Sequence, residues 1–221
     1  MWYSGGMFLF MLILVPAFLV FFCLRSKDKA AVLLAVSGAA AGVVVCVVLA
    51  VFFFMHRVPE DSFPRNFLHY FCREYALPPM ALYAAYFFMT KDGAPFRVRA
   101  FFPLCGGFLS IYMPYFILFS AQPYCSFFEL FAKPVLFLAM LLISANALYG
   151  IFRAVTEGSR SNVLVCALIL AAACAVPPAL NACWLLKLLP GVLLYAACAA
   201  YAAFGAFLFV LALRREECFF L

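Results

Sequence analysis

Apolar residues run along this chain in blocks of about twenty positions, separated by short charged stretches. A strand of a membrane barrel needs only about ten residues of alternating character, whereas these blocks are uniform and about twice as long. They therefore read as helices able to cross a hydrocarbon core about 30 Å thick. The pattern predicts an all-α, polytopic integral membrane protein with seven transmembrane helices. Their expected ranges are about 5–24, 30–55, 76–90, 101–120, 134–152, 163–182 and 191–213, in a single transmembrane domain covering 1–221. The first block has no positive residue ahead of it and no small-residue cleavage site after it, so it reads as a retained anchor.

One stretch breaks the pattern. His56 to Pro79 is the longest region polar enough to leave a bilayer. Within it Phe63, Phe67, Tyr70, Phe71 and Tyr75 recur at helical spacing, with Arg65, Asn66, His69 and Arg73 on the opposite face. This spacing predicts an interfacial amphipathic helix over about 62–75, apolar side towards lipid and polar side towards water. Asp61 or Ser62 is placed to cap it, and Pro64 falls in its first turn, where a missing N–H costs little. The third span that follows is short for a crossing unless Tyr70–Tyr75 extends it.

Prolines and glycines punctuate the rest. Pro78, Pro134 and Pro190 stand at equal intervals, each at the entrance of a span. That regularity reads as three helix-pair repeats after an anchor, or as the ordinary preference of proline for a first turn. Gly38 and Gly42 form a small-xxx-small seam for close helix packing, either between two copies or against a neighbouring helix of the same chain. Gly106-Gly107 and Pro114 predict a bend in the fourth span. Pro177-Pro178 predict a kink or an end in the sixth.

Composition sharpens the class. The chain is 70% hydrophobic and 11% charged, against about 25% charged in a soluble domain. The net charge of +6 is spread over short loops rather than clustered on one face, which argues against a nucleic-acid partner and for membrane lipids. Lys and Arg crowd the segments 25–29, 91–99, 153–160 and 214–215. The N-terminus is therefore expected outside and the C-terminus in the cytoplasm, in a plasma membrane. There are ten Cys but only two His, and no Cys-x-x-Cys pair, so no metal or other cofactor is expected. Cys23, Cys46, Cys105, Cys166, Cys174 and Cys198 lie in apolar blocks as small hydrophobes.

Candidate chemistry gathers on the outer side. Cys72 and His69 are three positions apart on the amphipathic helix, a spacing that shares a face. An imidazole beside a thiol raises its thiolate fraction and makes a nucleophile. Lys133, one turn after Glu129 at the mouth of the fifth span, is placed to add positive charge. In an oxidising compartment Cys72, Cys125 and Cys183 are alternatively candidates for a disulfide. A second group, Ser144, Asn146 and Asn181 together with Ser110, supplies the polar residues of a cavity within the spans. No Asp, Glu, Lys or Arg falls deep inside a predicted span, where ion-coupled carriers keep one.

Several of these features resemble the YwaF-type family of seven-helix integral membrane proteins. The shared features are a Cys at the entrance of the third helix (Cys72) and a Gly-bearing fourth helix (Gly106-Gly107 to Pro114). A Phe-rich entrance to the fifth (Phe127-Phe128-Glu129-Leu130-Phe131-Ala132-Lys133-Pro134) and Asn181 followed by Lys187 complete the set. The resemblance covers residues from about 60 to 200. It implies the seven-helix fold. A eukaryotic branch of that family is associated with acyl transfer between lipids, using a Cys on the third helix and a His at the start of the fifth. Cys72 matches the first; Lys133 stands where the His would be, and Pro134 where the family prefers Gly. Three readings follow: a lipid acyl-transfer enzyme or its inactive relative centred on Cys72; a transporter or ligand-binding membrane subunit; and a scaffold that packs against other membrane proteins through the second helix.

Overall fold

The protein is described from a computed structural model, which describes Ala17 and residues 28–53, 62–89, 98–120 and 126–218. Among the described residues there is helix and no strand. In chain order the helices are α1 (Lys29–Phe53), α2 (Phe63–Tyr70), α3 (Leu77–Met89), α4 (Val98–Ser120), α5 (Lys133–Thr156), α6 (Arg160–Leu185) and α7 (Gly191–Cys218). Two π-helical segments, Phe71–Ala76 and Phe128–Ala132, join α2 to α3 and lead into α5. Five helical runs are long and apolar enough to cross a membrane: Lys29–Val51, Ala100–Ile117, Phe128–Thr156, Arg160–Leu185 and Gly191–Leu211. The expected first span, 5–24, lies outside the described residues apart from helical Ala17.

Local chemistry explains where the helices begin and end. Asp28 caps α1, its Oδ1 accepting the Ala30 N–H at 2.9 Å, in the manner of an N-cap carboxylate. Ser62 occupies the N-cap of α2 with extended backbone, but its hydroxyl caps nothing. Asp61 lies outside the described residues. The α5–α6 turn places Gly158 at φ 71°, with Ser159 N–H donating to the Ala154 carbonyl at 2.9 Å. The α6–α7 turn repeats this closure with Lys187 at φ 52° and Leu188 N–H on the Cys183 carbonyl at 3.0 Å. Both are C-terminal reversals through the left-handed region, which glycine enters freely and lysine does not.

The π-helical segments follow from the prolines. Pro78, Pro79 and Pro134 bring no N–H, and each ring crowds the carbonyl four residues back. Those carbonyls belong to Glu74, Tyr75 and Leu130, all inside π-helical turns. A wider turn moves the carbonyl off the ring and lets the helix run on. Helical conformation is therefore unbroken from Phe63 to Met89, with no gap between the expected amphipathic helix and the third span. The first two of the equally spaced prolines share this device. At the third, Pro190, the chain turns out of α6 instead.

The chain divides into two compact units. The first holds α1, α3, α4 from Arg99 onwards, the Phe128–Ala132 segment and the first two residues of α5. Here α1 and α4 touch backbone to backbone. A Cβ on Gly38 would run into the Leu104 carbonyl, one on Gly107 into the Ala35 carbonyl, and one on Gly42 would lie 3.0 Å from the Phe108 carbonyl. The Gly38–Gly42 seam is thus occupied by a helix of the same chain, so an outside partner would have to displace α4 to use it. On α3, Tyr83 and Tyr86 set their rings on Phe101 of α4, with centroids 5.5 and 5.9 Å away.

The second unit holds α2, the Phe71–Ala76 segment, α5 from Val135 onwards, α6 and α7. Gly205 of α7 lets Ala139 of α5 approach, since a Cβ there would lie 3.0 Å from the Ala139 Cα. Gly150 similarly admits the Cys166 side chain of α6. The sixth helix does not end at its double proline; α6 runs through Pro177 and Pro178 to Leu185. Long apolar side chains remain outside, among them Leu164 and Leu168 on α6 and Val192, which is 83% exposed, on α7. Surfaces this apolar are matched to lipid rather than water.

Candidate functional site

α2 carries two stripes. Phe63, Phe67 and Phe71 stack one turn apart, with ring centroids at 6.2 and 6.0 Å. Phe63 and Leu68 are exposed. Asn66, Tyr70 and Glu74, one turn apart along the same rod, are buried. α2 and the π-helical segment both pack on α6. Asn66, expected on the water-facing side, and Tyr70 and Tyr75, expected on the lipid-facing side, are all buried. Glu74 and Tyr75, in the π-helical segment that follows, are buried against a polar partner, the arrangement that a medium without water favours.

That partner is Asn181 of α6. Its Nδ2 donates to the Tyr75 hydroxyl oxygen at 3.0 Å and reaches Glu74 Oε2 at 3.4 Å. Asn181 is fully buried, Tyr75 likewise, and Glu74 is 2% exposed. The Phe137 ring of α5 closes one side, 6.2 Å from the Tyr75 ring. Two amides in this seam are not fully paired. Asn181 Oδ1 has no hydrogen-bond partner, and neither Oδ1 nor Nδ2 of Asn66 has one. A buried amide left unpaired costs about 1–3 kcal/mol, so native proteins keep few of them outside working sites.

The other residues expected in a cavity behave differently. Asn146 Nδ2 donates back to the Leu142 carbonyl of its own helix at 2.9 Å, and the Ser144 hydroxyl to Leu141 at 3.1 Å. Ser110 likewise bonds back to Gly106 at 2.8 Å. Of Ser144, Asn146 and Asn181, the polar seam against α2 takes Asn181.

The proposed nucleophile group is placed as follows. Cys72 is an exposed free thiol within the π-helical turn. His69 is half-buried, with Nε2 enclosed and its ring edge-on to Tyr70 at 5.8 Å. Cys72 lies in the π-helical segment and His69 in the α-helical part just before it. Cys183 is a free, half-buried thiol, and Cys125 lies outside the described residues. In the first unit Lys133 is 1% exposed and Glu129 3% exposed, and the Lys133 ammonium lies 5.8 Å from the centre of the Phe116 ring. Lys133 was expected at the water-facing mouth of the fifth span. It is instead buried, because the Phe128–Ala132 turn continues α5 and places lysine inside the helical run Phe128–Thr156.

Glu74 lay in the stretch expected to be wet, Asn66 was expected on the water-facing side, and Glu129 was expected beside Lys133 at the mouth of the fifth span; all three are buried. The available signal was the proline just downstream: an acid within a turn of Pro78-Pro79 or Pro134 sits where the helix must widen and continue. Among the described residues no group of three or more His, Cys, Asp or Glu is arranged to hold a metal ion. No family model matches this chain, and no curated protein or solved structure is similar to it.

Proposed function

We propose that the protein is a transporter or ligand-binding membrane subunit whose centre is the α2–α6 seam at Glu74, Tyr75 and Asn181. One observation carries this reading: Asn181 is fully buried, donates to Tyr75 and Glu74, and still presents an unpaired Oδ1. Polar and ionisable side chains inside a membrane are expensive, and where they persist they mark ligand and ion pathways. The proposed setting is a seven-span plasma-membrane protein with the N-terminus outside and an interfacial start to α2. The five long apolar runs support it. So does the unbroken helix ahead of Leu77–Met89, which supplies the turns that the third span lacks.

The acyl-transfer reading, with its likeness to the YwaF-type family, keeps the exposed Cys72 thiol as support. The Nε2 of His69, the base it would call on, is enclosed. The scaffold reading loses its seam to α4.

The test is a screen of purified protein in nanodiscs against amines, inorganic ions, polyols and sugars, read by thermal shift and by uptake into proteoliposomes. At least one class is expected to give a saturable response that Asn181→Leu weakens about tenfold or more, as loss of one well-made buried hydrogen bond would. No saturable response from any class sinks the reading.

A further inference from the structure

The α2–α6 seam is shut in this conformation. Asn66 and Asn181 are fully buried, and Asn66 Oδ1 and Nδ2 and Asn181 Oδ1 are enclosed without a hydrogen-bond partner. A ligand reaches these atoms only if an element moves, and α2 is the element placed to do so. It is eight residues long and packs on α6. Docking there takes the Asn66 amide away from water or headgroups and returns no bond, which weakens the docked state. Burial of Tyr70 and Tyr75 works the other way and holds it shut.

α2 also has a second place to lie. The rings of Phe63, Phe67 and Phe71 form one stack along it, and Arg65 is exposed. Off α6, the rings can sink among acyl chains while Arg65 and the Asn66 amide stand among headgroups, as in an interfacial helix. A pivot is built in as well. The Phe71–Ala76 segment is π-helical, and Pro78 and Pro79 beyond it have no N–H to give. Main-chain bonds are thus missing where α2 joins α3, and such places are where helices bend.

We infer that α2 is a lid. It swings off α6 about the Phe71–Ala76 turn and opens the seam at Glu74, Tyr75 and Asn181 to the membrane surface, and the unpaired Asn66 amide sets how often it does so. This rests on the ligand-binding reading above and adds the route into the site.

Two measurements in nanodiscs, both without ligand, test it. In the first, hydrogen exchange is followed over residues 63–76 in wild type and in Asn66→Leu. Leucine removes the unpaired amide and keeps the bulk, so exchange there is expected to slow about tenfold or more, with residues 191–213 unchanged. In the second, Tyr75→Cys is made in a chain whose ten native cysteines are replaced. Tyr75 is fully buried, so a thiol at that position meets a water-soluble maleimide only when the seam opens. Reaction is expected, and about tenfold more slowly once Asn66→Leu is added.

Equal or faster exchange in Asn66→Leu overturns the inference. So does a thiol at position 75 that stays silent, or that reacts at one rate whichever residue stands at 66. If Tyr75→Cys does not fold, the exchange measurement decides alone. A seam that opens yet binds nothing sinks the ligand-binding reading and leaves the lid; saturable binding by a seam that stays shut does the reverse.

Discussion

The Tyr201 hydroxyl of α7 donates to the Ala173 carbonyl of α6 at 2.7 Å. In an α-helix that carbonyl would accept from residue 177, and in a π-turn from residue 178. Both are proline and neither has an N–H. Tyr201 thus supplies from a neighbouring helix the donor that the double proline removes. This is how a helix carries prolines through a medium without water.

Replacing Tyr201 with Phe deletes that donor and little else. The expected cost is about 1 kcal/mol or more, above the average interhelical bond in a membrane because the acceptor has no helical alternative. Pro177→Ala returns an N–H to the chain, so Tyr201→Phe should cost less in that background. Unfolding equilibria of the four proteins in mixed micelles give the coupling, and a coupling of zero would show that the phenol does not serve this carbonyl.

Gly106 and Gly107 are neighbours with opposite surroundings. A Cβ on Gly107 would run into the Ala35 carbonyl, whereas one on Gly106 meets nothing within 4 Å. Gly107→Ala is expected to destabilise by about 1–3 kcal/mol, the usual cost of forcing a packed backbone apart. Gly106→Ala is expected to be neutral or to stabilise by up to about 1 kcal/mol, because alanine is the better helix former. Paired thermal melts decide, and equal effects from the two substitutions would contradict the α1–α4 contact.

Cys72 is exposed and reports sidedness. In an otherwise cysteine-free variant, a membrane-impermeant maleimide added to intact cells is expected to label it. Labelling only after lysis would put α2 in the cytoplasm and reverse the proposed orientation.

Much of the helix pattern was legible in the chain. Pro78, Pro134 and Pro190 act through bonds within a turn or two of themselves, and such effects can be read from neighbours in sequence; the Asp28 cap and the Gly158 turn are just as local but were not anticipated. Even there, the outcome at Pro78-Pro79 was not the expected entrance to a new helix. Proline shows that a hydrogen bond is lost. It does not show whether the chain stops, kinks or widens into a π-turn.

The sequence by itself determined the class, an all-α chain with several helices apolar enough to cross a membrane, because run length and composition are additive along the chain. It also marked the small residues Gly38 and Gly42 as contact points. Tertiary structure alone decided what they touch, that Asn66 of α2 and Glu74 of the π-helical segment after it are buried, and that Asn181 meets Tyr75 rather than its own helix, as Asn146 does. An amphipathic stripe fixes which residues share a face but not what that face meets. In lipid the polar face goes wherever another helix offers a partner, and that partner lies more than a hundred residues away.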